Sequence, residues 1–344
     1  MIWLTWRQFR AQATAMYGLL AVLAVVLVIA GRPPHGVVRL APADSRLYYA
    51  GVVVMYLLPA VIGVFWGAPL VTRELEAGTH RLVWNQSVTR ARWLATKLAF
   101  TGLAAMAAAG SLSLLVTWWA GPVDAASRPA TIPVGADTVT GMPDPESFAA
   151  RISPLLFGAR GIAPIGYTAF AFVAGVAAGI LLRRTVPAMA VMLAAFAAVQ
   201  IAVPFAVRPY VIPAIQETVT ITAENISKVG VNSSGEVEEL AVAGPPGAWV
   251  LGNETVDAAG RPATVPSWAA ACLLPPPLEQ ASPSGPVIDR ECLTRLADLG
   301  YRQRVTYQPA GRFWALQGIE TAIFLALSAL AARLCLRWIR SRLS

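Results

Sequence analysis

The sequence predicts an α-helical integral membrane protein: six transmembrane helices, an amphipathic N-terminal elbow helix, and a small mixed extracellular domain between the last two spans. Three observations predict it. Of 344 residues, 56% are hydrophobic and only 13% charged, and the mean hydropathy is +0.57, well above the usage of soluble domains. Six apolar runs each reach the ~20 residues that a helix needs to cross ~30 Å of hydrocarbon. None of them alternates as barrel strands do, which leaves helices as the spanning form.

The runs lie at Gln12–Gly31, Tyr48–Val71, Leu98–Trp119, Ile162–Leu182, Thr185–Val207 and Phe313–Leu334. Residues 1–11 place Trp3, Trp6 and Phe9 against Arg7 and Arg10. That pattern suits an interfacial elbow helix, or equally an extension of the first span with its aromatic belt. Arg7 and Arg10 before Val28-Ile29-Ala30 also resemble a secretory signal with its cleavage site. The apolar run is long for a signal, so it is read as a span.

Charge sets the orientation. Arg7 and Arg10, five basic groups from Arg73 to Lys97, the pair Arg183-Arg184 and four arginines from Arg333 to Arg342 fall on one side, accompanied only by Glu74 and Glu76. Short loops near span ends dominate the positive-inside preference, and the Arg183-Arg184 turn is the shortest. Both termini are therefore expected in the cytoplasm, although Arg32, Arg39 and Arg46 in the first external loop argue mildly the other way. The pI of about 9.9 thus follows membrane topology. The basic groups form no aromatic-interleaved groove, and no nucleic-acid partner is expected.

Two external segments are long. In loop 121–161, which opens with Gly and Pro breakers, DPESFAARISPLLF suggests a surface helix. Asp144 would be its N-cap, Pro145 its first residue, and Phe148, Ile152 and Leu155 one face. Residues 208–312 carry alternation in ETVTITAENI, the turn-like Asn232-Ser233-Ser234-Gly235 and the run Pro275-Pro276-Pro277, and read as a mixed domain. Residues 313–344 then form the sixth span and a basic tail. Cys272 and Cys292 both fall in this domain, in an oxidising compartment, and suggest a disulfide; two buried free thiols are the alternative.

Several chemistries are excluded. His35 and His80 are the only histidines and fall on opposite sides of the membrane, so neither a His-centred triad nor a His-rich metal site can form. Lys97 and Lys228 are the only lysines, and neither follows the glycine pattern that cradles phosphates. The chain is expected to hold no cofactor, to hydrolyse no ATP alone and to be no enzyme by itself.

The charged connection 72–97, within the segment 12–207, reads as helix pieces. Glu74 and Glu76 continue the second span, and Gly78 stops it in the left-handed turn that glycine takes readily. Thr79 caps a short helix with Arg81, Leu82, Val83 and Trp84, and Ser87 or Thr89 caps the next, which passes Arg90, Arg92, Trp93 and Lys97 into the third span. This is a short amphipathic lever between two rigid spans.

Here the sequence resembles a known group. The order Glu74, Glu76, Gly78, Thr79, then Arg90, Arg92, Trp93 and Lys97 is similar to the first cytoplasmic loop of type-2 ATP-binding-cassette (ABC) exporter permeases. WRQFR at the start, RGIAPIGYTAFAF followed by LLRRTVPAM, and YQPAGRFWALQGIETAIFLAL resemble their actinobacterial members in particular. Gln86-Ser87-Val88 departs from the proline-containing turn of many relatives. The resemblance implies a homodimer in the bacterial plasma membrane that docks a coupling helix into each of two separate ATPase subunits, where ATP and Mg would reside. It also implies that Arg183-Arg184 forms a second, smaller contact.

Within the membrane, Glu320 is the only acid in a span. It shares a helical face with Gln317 and Thr321, and Gln200 of the fifth span could meet them. An intramembrane carboxyl faces a polar cavity or a partner by default. The group either lines a translocation path or holds a protonated Glu320 hydrogen-bonded to a neighbouring span or across the dimer. Gly175 and Gly179 form G-x-x-x-G, a sign of close helix packing. The functional expectation is the permease subunit of a drug, antibiotic or lipid exporter carrying a small hydrophobic or amphipathic substrate, its other contact being membrane lipid. The alternative is a membrane-anchored sensor or scaffold with a ligand-binding extracellular domain.

Overall fold

The computed structural model describes residues 2–31, 42–78, 89–125, 149–232, 237–269, 273 and 290–341. Six helices among them are long and apolar enough to cross a membrane, and the protein is a multi-pass membrane protein. The helices are α1 (Ile2–Ala30), α2 (Pro42–Ile62), α3 (Pro69–Glu76), α4 (Arg90–Ala125), α5 (Pro154–Phe157), α6 (Ala163–Leu182), α7 (Thr185–Ala202), α8 (Arg208–Val211), α9 (Arg290–Asp298) and α10 (Phe313–Ser341). The chain divides into a helical unit (Met1–Pro122, Pro154–Val211, Trp314–Ser344) and a second unit (Val123–Ser153, Ile212–Phe313).

In the helical unit, α6 is the central span. Of its apolar window 67% is buried, against 22%, 17% and 28% for the first, fifth and sixth spans. The N-terminal segment is helical, but it is no separate element: one unbroken helix runs from Ile2 to Ala30. Nothing in WRQFRAQ breaks a helix, so the extension reading accounts for it.

The second span is continuous from α2 through a π-helical turn, Gly63–Gly67, into α3. Pro69 begins α3, where its missing N–H is harmless, and the Ala68 N–H reaches back to Gly63 O at 2.9 Å. The turn takes up one extra residue, the usual way a span absorbs a local break. A second π-helical turn, Val203–Val207, carries Pro204 and leads into α8. The fifth span therefore passes the expected end at Val207 and reaches Val211. The apolar pattern stops at Arg208, but that arginine is buried and continues the helix.

Two expectations for the segment after the third span are corrected. α4 runs through Gly121 and Pro122 to Ala125; Trp119 and Val123 on this last stretch are buried, and Trp119 Nε1 donates to Gly31 O at 2.6 Å. The surface helix expected from Asp144 does not run through Ile152. Residues 149–153 are non-helical, Pro154 opens the four-residue α5, and residues 126–148 lie outside the described ones. Proline is favoured at a first helical position and disfavours helix just before it.

The second unit contains β1 (Ile215–Thr220), β2 (Ile226–Val231), β3 (Val237–Val242), β4 (Trp249–Val256) and β5 (Arg302–Gln308). β5 lies between β1 and β4 in an antiparallel sheet, with Ile215 opposite Tyr307 and Thr220 opposite Arg302. The entry and exit strands of the insertion thus pair with each other. β2 and β3 form a second antiparallel pair; residues 233–235 of the turn expected at Asn232–Gly235 lie outside the described residues. Ile221, Ile226, Leu240, Val242, Leu293 and Val305 belong to the shared core. Gln303, fully buried on β5, donates to Leu240 O on β3 at 2.5 Å. Cys272, the side chain of Cys292 and the proline run 275–277 lie outside the described residues.

Candidate functional site

Two polar constellations sit in the helical unit. The first begins at the end of α3. That helix stops where expected: the Ala77 N–H bonds Arg73 O at 3.1 Å, and Gly78 takes φ +68°. Glu74 and Glu76, two residues apart, leave the helix about 200° apart at 3.6 residues per turn and meet different neighbours. Lys97 of α4 donates its ammonium to Glu74, and the same ammonium lies 4.7 Å from the Trp93 ring centroid. Both charged side chains are largely shielded, at 6% and 14% exposure, so solvent screens the pair less than an exposed one.

Glu76 turns to the fifth span. Its Oε1 accepts the backbone N–H of Thr185 at 2.7 Å and its Oε2 accepts the Thr185 hydroxyl at 2.8 Å. Thr185 is the first residue of α7, where unsatisfied N–H groups and the helix dipole favour a carboxylate. The Thr72 hydroxyl lies 2.7 Å from that of Thr185. α6 and α7 are separated by Arg183 and Arg184 alone; Arg183 is left-handed at φ 54° with its N–H on Gly179 O, and Arg184 is extended. α4 opens at Arg90 with Thr89 as cap, its hydroxyl accepting the Arg92 N–H at 3.3 Å. Thr79, Arg81, Leu82 and Trp84 lie outside the described residues.

The second constellation lies toward the opposite end of α6. Arg208 and Glu320 are 1% and 5% exposed. Nε of Arg208 donates to Oε2 of Glu320 at 2.9 Å and Nη2 to Oε1 at 3.1 Å, a bidentate fork. The Tyr167 hydroxyl also donates to Oε1, and the guanidinium lies 4.0 Å from the Phe157 ring centroid. Arg160, also buried, sits over the Tyr48 ring at 4.9 Å.

Polar span residues serve the backbone of α5, of the irregular stretch that follows it and of the start of α6. Tyr56 donates to Pro154 O at 3.2 Å, Ser113 donates to Gly161 O at 2.6 Å, and Thr117 accepts the Gly161 N–H at 3.2 Å. Gln317, fully buried, accepts the N–H groups of Ile162 and Ala163 at 2.9 and 2.6 Å and donates to Phe157 O at 2.8 Å. Non-helical backbone at membrane depth needs partners of this kind.

Of the four residues expected to share a polar path, Gln317 caps α6 and Glu320 has both oxygens engaged. Thr321 Oγ1 and Gln200 Nε2 are buried without a hydrogen-bond partner, and no hydrogen bond between Gln200 and the other three is among those described. A paired outcome follows. Gln317→Leu orphans two N–H groups and a carbonyl, at about 1–3 kcal/mol each, whereas Thr321→Val, losing no bond, changes stability by less than about 0.5 kcal/mol. Thermal unfolding of the purified protein checks both, and equal losses would contradict these hydrogen-bond assignments.

The sequence reading missed Arg208, Tyr167, Thr72 and Thr185. The signal for Arg208 was Glu320 itself: a carboxyl inside a bundle calls for a cation, and Arg208 directly follows the apolar run of the fifth span.

A bundle of six spans with a sheet-bearing insertion before the last, whose charged connection is anchored on two other spans, defines the class: a multi-pass helical membrane protein with linked spans. Residues 17–208, more than half of the chain, match the family described as ABC-2 membrane transporter related, and the protein belongs to that family. No curated protein and no solved structure matches it. It is thus related to ABC-2 transporter permeases, a permease-type family that in general implies an ATPase partner. The match covers Tyr167 and Arg208 and stops before the sheet unit and Glu320.

Proposed function

We propose that this chain is the transmembrane subunit of an ATP-driven exporter in a bacterial plasma membrane. It works as a homodimer with two separate ATPase chains, both its termini are cytoplasmic, and it carries a hydrophobic or amphipathic compound. The observation that supports this most is the divergence of Glu74 and Glu76. One carboxylate holds the third span through Lys97 and the other holds the start of the fifth through Thr185. A push on the 72–97 connection would reach the second, third and fifth spans together, as a coupling element requires. On this reading residues 79–84 dock on the ATPase, and the Arg183-Arg184 turn, tied to Glu76 through Thr185, is the second contact. Thr321 and Gln200 remain as polar groups for a translocation path, while Glu320 and Gln317 hold its wall.

The test is copurification from the native membrane and reconstitution with any ABC ATPase that copurifies. Transport and permease-stimulated ATP hydrolysis are expected in the wild type. Glu76→Ala and Thr185→Val are expected to keep the complex assembled but to lower transport per ATP about tenfold, since each breaks bonds to a charged group worth ~1.5–3 kcal/mol. If no ATPase copurifies and none is stimulated, the sensor or scaffold reading takes precedence.

A further inference from the structure

Between the first three spans, at the end that carries the charged connection, lies a cavity of about 250 Å³. One wall is aromatic and aliphatic: Phe9 and Trp66 meet edge to face at 4.5 Å between centroids, with Leu70 beside them. The other wall is cationic. Arg73 lines it and is exposed, and the buried Lys97 lines it with its partner Glu74, which leaves a formal excess of one positive charge. Thr101, fully buried, also lines the cavity, and its hydroxyl has no hydrogen-bond partner. A buried hydroxyl left unpaired is unfavourable and rare.

We propose that this cavity binds the headgroup of an anionic phospholipid. The phosphate lies against Arg73 and Lys97, the Thr101 hydroxyl donates to a phosphate or ester oxygen, and the first acyl carbons rest on Phe9, Trp66 and Leu70. The aromatic wall favours a lipid over a free phosphate, which would have no use for it. Depth agrees: on the same stretch of α1, Trp3, Trp6, Arg7 and Arg10 are exposed, a combination of residues that anchors at headgroup level. Basic pockets between spans on a cytoplasmic face take lipids of this kind. The site does not depend on the exporter reading, and its test needs no ATPase.

The experiment is native mass spectrometry and thermal unfolding of the full chain in detergent, titrated with phosphatidylglycerol, phosphatidylcholine or inorganic phosphate. One phosphatidylglycerol per chain is expected to remain bound and to raise the melting temperature, with phosphatidylcholine and phosphate doing neither. Arg73→Gln, at an exposed rim, is expected to weaken retention about fivefold. Thr101→Val, nearly isosteric, is expected to weaken it by a similar factor. Val53→Ala, at an exposed residue of α2 outside the cavity, leaves retention unchanged. Retention that is indifferent to both cavity substitutions, equal retention of phosphatidylcholine, or equal protection by inorganic phosphate each overturns the assignment.

Discussion

Glu320→Ala is expected to lower the stability of the purified protein by about 3–5 kcal/mol, because it strands the Arg208 guanidinium in a site that is 1% exposed. The loss is one of compensation more than of attraction. With Glu320 present, Arg208 has a bidentate partner and Tyr167 a hydrogen-bond acceptor; without it, a full charge remains inside the bundle. Arg208→Ala should be comparably costly for the opposite charge. The double variant Arg208→Met with Glu320→Leu is the informative one, since removing both charges and keeping the volume is often neutral. It should recover most of the loss, and Tyr167→Phe should cost only about 1 kcal/mol. Chemical or thermal unfolding in detergent reads all four. If the double variant is as unstable as Glu320→Ala alone, the two groups do not form a charge pair and the geometry described here is wrong.

That pair also marks the boundary of what the sequence reveals. The spans were legible because each is a local property of ~20 consecutive residues. The stop at Gly78 and a cap at Ser87 or Thr89, of which Thr89 is the one seen, were legible for the same reason: one residue, one turn, one set of dihedral angles. Arg208 and Glu320 are separated by 112 residues, and nothing local connects them. An apolar window ends at its first charge, so Arg208 was assigned to the domain that follows. Only the partner decides whether such an arginine is a loop residue or a buried one.

Gln317 shows the converse limit. Its place on one face with Glu320 and Thr321 was read correctly from the helical period, and all three are buried. The shared face suggested a polar path, but Gln317 serves backbone groups of residues 157, 162 and 163. Side-chain chemistry does not reveal whether an amide faces water or an irregular stretch of main chain. The Glu74 and Glu76 pair was recognised by its motif, while its separate destinations on α4 and α7 emerged only from the packing of three spans.

Gly175→Ala is the second large effect, and it tests the packing that holds those spans together. A Cβ on Gly175 would stand 2.4 Å from Gly63 O and 2.8 Å from Ala68 N, and one on Gly179 would stand 2.8 Å from Ala68 O. All of these are backbone atoms of the π-helical turn and the residue after it, so no side chain can swing aside. From the other side, a Cβ on Gly67 would lie 2.4 Å from Phe172 O. The second and fourth spans therefore cross with their backbones in near contact, which small residues permit and any larger one forbids. The crossing must open for a single added methyl, at about 1–3 kcal/mol and more where backbone has to shift. It lies close to Thr72, Glu76 and the Arg183-Arg184 turn along α3 and α6, so loosening it should also slacken the Glu76 link to Thr185. Gly175→Ala is accordingly expected to lower the melting temperature. Gly18→Ala on α1, whose added Cβ meets nothing within 4 Å, should leave it unchanged or raise it slightly through better helix propensity. Equal melting temperatures for the two variants would mean that the spans do not cross at this distance, and the link from the charged connection to the fifth span would lose its support.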